Sequence, residues 1–187
     1  MKKLKLLGLG LGLVALASSG CILVSAQVLA HFGLKNPFTI NSTSTNHTQG
    51  EPVDLNLISA YADNKEKLKG ILDLAIVGKF TNVNGPAGGV EVWITPTLDF
   101  PASTELPGPP PGSAVLLWGP GTIGASPASR VIGWDESAAL FNAAGKALLL
   151  EQIRGDGTFT IYTTGSVGTY NILVEDGQIV LVLDAAK

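Results

Sequence analysis

From residue 72 to 81 the chain alternates with a period of two. Leu72, Leu74, Ile76, Gly78 and Phe80 fall on one side, and Asp73, Ala75, Val77, Lys79 and Thr81 on the other. This is the period of a β-strand with unlike faces. After the turn-rich stretch 82–89, the run Val90-Glu91-Val92-Trp93-Ile94-Thr95 alternates again and predicts a second strand. Together the two read as a hairpin with a long loop. Trp93 shares its parity with Glu91 and Thr95, opposite Val90, Val92 and Ile94, so its indole points away from the expected core.

The same reading predicts a hairpin joining 114–118 to 129–134 across Gly119-Pro120-Gly121-Thr122. It predicts a C-terminal meander of 158–164, 169–174 and 179–183, with Asp176-Gly177 supplying the positive φ angles of a tight turn. Residues 27–32 and 38–42 are further strand candidates. Two stretches break the period. Leu57, Tyr61, Leu68 and Ile71 among charged neighbours predict a short amphipathic helix over 57–71. Leu140, Phe141, Ala144, Leu148 and Ile153 predict another over 137–153, capped by Asp135 or Ser137 and weakened at Gly145. Five prolines between residues 98 and 113 mark a loop, partly polyproline II. Seven or eight strands not regularly alternating with helices predict a mainly β protein, an antiparallel β-sandwich with one or two short helices packed on it. A closed barrel is the alternative. The expected organisation is a segment 1–20 followed by a single domain over 21–187, with the proline-rich loop at 98–113.

The first 21 residues read differently. Lys2, Lys3 and Lys5 precede the apolar run 6–17, and small residues lead to Cys21, the only cysteine. That is the order of a signal peptide. The segment resembles a bacterial lipoprotein signal, whose lipobox ends in a small residue before the cysteine that receives diacylglycerol; Ser18 stands where that family usually has Leu. The resemblance implies cleavage before Cys21, acylation of Cys21 and a partner in membrane lipid. Two or three acyl chains, at about 0.8 kcal/mol per buried methylene, make a stable anchor. Ile22 in place of Asp implies the outer membrane if the cell is Gram-negative. Two other readings stay open: an uncleaved anchor, because residues 6–30 carry no formal charge, or secretion after a cut following Ala26. All three put the domain outside the cytoplasm, in the cell envelope or beyond it. With Cys21 lipidated or lost, no intrachain disulfide forms.

Composition narrows function by exclusion. Net charge is −3, and without the three N-terminal lysines it falls to −6, so nucleic acid is not an expected partner. Catalytic motifs are lacking. There is no Gly-x-Ser-x-Gly, and the two histidines, His31 in a predicted strand and His47 in a polar loop, have no ligand cluster for zinc. Gly155-Asp156-Gly157 lacks the acidic spacing of a calcium loop. Carboxylate pairs could be drawn from Glu91, Asp99, Asp135, Glu136 and Glu151, but only a measured separation would give such a pair meaning. The expectation is therefore no catalytic residues, no metal and no cofactor. Aromatics remain: Trp93, Trp118 and Trp134 are the candidate ligand-binding residues, able to stack on a sugar or fill a partner's pocket. The expected role is non-catalytic binding or scaffolding in the envelope, through an envelope protein or glycan. The alternatives are a carbohydrate- or lipid-ligand module and, third, an envelope hydrolase.

Overall fold

The computed structural model describes residues 25–35, 37–166 and 168–186. The segment 1–20 and Cys21 lie outside the described residues. Ten strands follow in order: β1 (Ser25–Gly33), β2 (Phe38–Asn41), β3 (Thr48–Asp54), β4 (Leu68–Asn82), β5 (Gly88–Thr95), β6 (Thr104–Leu106), β7 (Val115–Ile123), β8 (Ser129–Ile132), β9 (Thr158–Gly165) and β10 (Asn171–Ala186). Helices α1 (Ser59–Ala62), α2 (Trp134–Ala138) and α3 (Ala143–Arg154) interrupt them.

The strands form two antiparallel sheets. The first runs β1-β10-β4-β8, with β2 also paired to β10; the second runs β6-β3-β9-β5-β7. The expected mainly β sandwich with short helices is the fold observed. Its core is one apolar cluster drawn from both inner faces. β4 and β10 contribute Leu74, Ile76, Phe80, Ile179 and Leu181, facing Val90, Val92, Ile94, Phe159 and Ile161 of β5 and β9. The period-two pattern is thus the physical cause of the layers: alternate residues of a strand point into the core and the rest to the outer face.

Connectivity departs from the expected hairpins. Among the described residues no two consecutive strands pair with each other. The turn 83–87 carries the chain from β4 in the first sheet to β5 in the second, so the predicted 72–81/90–95 hairpin does not form. Likewise 119–122 is not a turn but part of β7, which pairs with β5, while β8 pairs with β4. Nor is there a C-terminal meander. β9 lies in the second sheet, and residues 171–186 are one strand at the centre of the first. Asp176-Gly177 makes a bulge instead. Glu175 pairs with Lys79 and Gln178 with Val77, which leaves one extra residue on β10, and Asp176 takes φ 54°. β4 flanks β10 from 172 to 185, while β1 and β2 share its other side, paired to 178–186 and 171–174.

The helices also depart in detail. Where a helix is expected over 57–71, the chain has α1 between two 3₁₀ turns, Leu55–Leu57 and Lys65–Lys67, and β4 already begins at Leu68. The helix expected over 137–153 is divided at residues 139–142, not at Gly145, and α3 is capped by Asn142, whose Oδ1 accepts the Ala144 N–H at 3.0 Å. Gly145 serves packing: a Cβ there would stand 2.3 Å from the Leu116 carbonyl oxygen and 2.5 Å from Leu117 Cα, so α3 lies directly on the β7 backbone.

Candidate functional site

The outer face of the second sheet is built by the same alternation that fills the core. Phe159 and Ile161 of β9 point in, so Thr160, Tyr162 and Thr164 point out; Glu91, Trp93 and Thr95 of β5 do likewise. Register aligns them in rows across the strands. Thr164 pairs with Glu91, Tyr162 with Trp93 and Thr160 with Thr95, while Gly50 of β3 pairs with Tyr162 on its other side.

The proline-rich loop 98–113 roofs these rows, and the strand order explains why. The chain leaves β5, adds β6 to the far edge beside β3, and must return across the face to form β7 beyond β5. Its outgoing limb is fastened at Asp99. Thr95 and Thr97 each donate a hydroxyl hydrogen bond to this carboxylate at 2.6 Å, and the Tyr162 hydroxyl is a third donor. The Asp99 N–H donates to Thr160 Oγ1 at 2.8 Å. Burial would raise the Asp99 pKa, but the three hydroxyl donors outweigh it and hold the carboxyl below its ordinary value. Phe100 packs edge-on against Tyr162 with centroids 6.2 Å apart, and its ring lies 2.9 Å from where a Cβ on Gly50 would be, so glycine makes room for it.

Two clefts open beneath the returning limb. The larger, about 420 Å³, is lined by Asp99, Phe100, Tyr162, Leu106, Ser113 and loop residues 107–111. The smaller, about 280 Å³, is lined by His47, Glu91, Trp93, Thr164, Tyr170 and the loop residues Pro109 and Pro110 among others. Pro109 lines both, and the paired residues Trp93 and Tyr162 lie in one and the other, so the two clefts adjoin along one grooved face of the sheet. In the smaller cleft the Trp93 indole Nε1 donates to Glu91 Oε2 at 3.1 Å. Burial raises the Glu91 pKa, and the indole hydrogen bond partly offsets it. The Tyr170 hydroxyl lies 2.9 Å from His47 Nδ1, donates to the His47 carbonyl at 2.9 Å, and is 3.0 Å from Thr164 Oγ1. Tyr162 is pushed up to about 12 by burial and by its bond to Asp99, so it stays a phenol.

The three tryptophans do not form one surface. Trp93 is half-buried in the groove as parity predicts. Trp118 is fully buried and offers nothing to a ligand: it pairs with the inward-facing Val92, and its Nε1 hydrogen-bonds Ser137. Trp134 opens α2 against the first sheet and donates to Asp73 Oδ2 at 2.8 Å. His31 is an exposed residue of β1, whereas His47, expected in a solvated loop, packs edge-on against Tyr170. Of the carboxylates, Glu91 and Asp99 share the groove, Glu136 is paired with Arg130 at 2.6 Å, and Asp135 and Glu151 lie on helices. Among the described residues no three of His, Cys, Asp or Glu converge to hold a metal. The groove residues not anticipated are Asp99 as a fastening, Phe100, Tyr162, Tyr170 and His47; the outward parity of Tyr162 in 158–164 was the available signal. No protein-family model matches the chain, and no curated protein matches it in sequence.

Proposed function

We propose that this is a non-catalytic binding protein of the cell envelope, tethered by an acylated Cys21 and binding through the roofed outer face of its second sheet. The observation that carries the reading is the groove itself. The inner face of that sheet is spent on the core, yet its outer face carries aligned rows of aromatic and hydroxyl side chains under a fastened loop. Such concave, largely preformed sites with a few placed polar groups are where ligands bind.

The tether rests on the lipoprotein-like segment. It is supported by β1, which includes Ser25 and Ala26: a cut after Ala26 would remove these two residues from the strand. The test has two arms. Cys21→Ala should abolish labelling by radioactive palmitate and move the protein from the membrane to the soluble fraction; unchanged fractionation rejects the tether. The soluble Cys21→Ala protein should co-sediment with isolated cell envelopes, and Ser113→Phe, which plugs the larger cleft from its exposed rim, should reduce that binding at least about tenfold. Equal sedimentation of both rejects the groove as the binding surface.

A further inference from the structure

The lining of the groove also restricts what it can bind, and this inference rests on the groove being a binding surface. We propose that it takes a neutral polysaccharide, with sugar rings against the half-buried Trp93 on one side of Pro109 and against the half-buried Phe100 on the other.

Charge is the first argument. The residues lining the two clefts include the carboxylates of Glu91 and Asp99 and neither lysine nor arginine. A phosphate headgroup, a nucleic acid or a uronic-acid chain would meet like charge there. Nor do the carboxylates call for a cation. Asp99 already accepts three hydroxyl donors, and Glu91 is engaged by the Trp93 indole. A hydrocarbon tail fits no better, because it would strip water from Glu91 and the hydroxyls without returning hydrogen bonds.

A sugar ring meets both halves of this surface. Its C–H face lies on an aromatic ring, and its hydroxyls donate to carboxylate oxygens and exchange hydrogen bonds with the accessible hydroxyls of Ser113 and Ser166. The platforms are held beforehand: Trp93 by its bond to Glu91 and Phe100 by its edge-on contact with the buried Tyr162, so little side-chain freedom is lost on binding. Two adjoining clefts on either side of Pro109 give room for more than one ring, which selects a chain over a monosaccharide.

The test is affinity electrophoresis of the full chain in detergent, through native gels containing galactomannan, xyloglucan, hydroxyethyl cellulose, dextran, polygalacturonate or poly-lysine. At least one neutral polysaccharide should retard the protein. Trp93→Ala should weaken that retardation at least about tenfold, and Trp93→Phe, which keeps a stacking face, should stay within about threefold. Ser113→Phe should also lose retardation, which keeps the test decisive if Trp93→Ala fails to fold. Val131→Ala, on the exposed side of β8, should change nothing. Retardation by no neutral polysaccharide overturns the inference, as does full retardation of both Trp93→Ala and Ser113→Phe. Groove-dependent retardation by polygalacturonate or poly-lysine alone also overturns it, while leaving the groove as a binding surface intact.

Discussion

Ser137 and Trp118 tie the two sheets together: the indole Nε1 donates to the serine hydroxyl at 3.1 Å and to its carbonyl at 3.2 Å. Both residues are fully buried. The same hydroxyl accepts the Ile76 N–H of β4 at 2.7 Å. β8 pairs with β4 only from Gly78 to Thr81, so at Ile76 the helix side chain stands in for a missing strand. Ser137→Ala leaves the Ile76 N–H buried without an acceptor and should cost about 1–3 kcal/mol in urea unfolding. Ser137→Thr keeps the oxygen; a loss equal to that of alanine would show that packing, not the hydrogen bonds, is responsible.

Gly145→Ala should destabilise although alanine is the better helix former by about 1 kcal/mol. The added Cβ falls inside contact distance of the β7 backbone at Leu116 and Leu117, so α3 must move off the sheet. The expected cost is about 1–3 kcal/mol by thermal or urea melts. A stabilised variant would mean that helix and strand are not in contact.

Asp99 sets a pH dependence of definite sign. Its folded-state pKa is held below the ordinary value, so the stability contributed by its three hydroxyl donors is present above the usual carboxylate range and lost as pH falls through the folded value. Asp99→Asn should lower Tm at pH 7, with the gap from the parent narrowing below about pH 4. A gap that stays constant between pH 7 and 3 would contradict this.

Glu91 behaves in the opposite sense. Burial raises its folded-state pKa, so stability is full below the ordinary glutamate value and declines as pH rises through the folded one. Glu91→Gln keeps an acceptor for the Trp93 indole without the buried charge. The variant should match the parent near pH 4 and exceed its Tm at pH 7. A lower Tm at pH 7 would assign Glu91 a stabilising charge interaction instead.

Element type was legible in the sequence where alternation was strong. The runs from Leu74 to Phe80 and from Val90 to Ile94 identified β4 and β5, and parity alone turned Trp93 outward. Pairing was not legible, because a short turn says that the chain reverses but not which sheet it enters. The stretch 83–87 crosses between layers, and Asp176-Gly177, whose positive φ suits a hairpin as well as a bulge, lies within one strand. The groove was hidden for the same reason. His47, Asp99, Tyr162 and Tyr170 come from distant parts of the chain, and only the detour of the loop to the edge beside β3 and back places Asp99 and Phe100 over β9.

The position of β10 has a consequence for the order of folding. β1, β2 and β4 all pair on this one strand, so the first sheet has no centre until residues 171–186 are in place. β1 meets it only by closing the whole stretch between Gly33 and Gln178, and pairings that distant along a chain are slow to form. A polypeptide cut short before Asn171 would leave β1 and β4 without the partner they share.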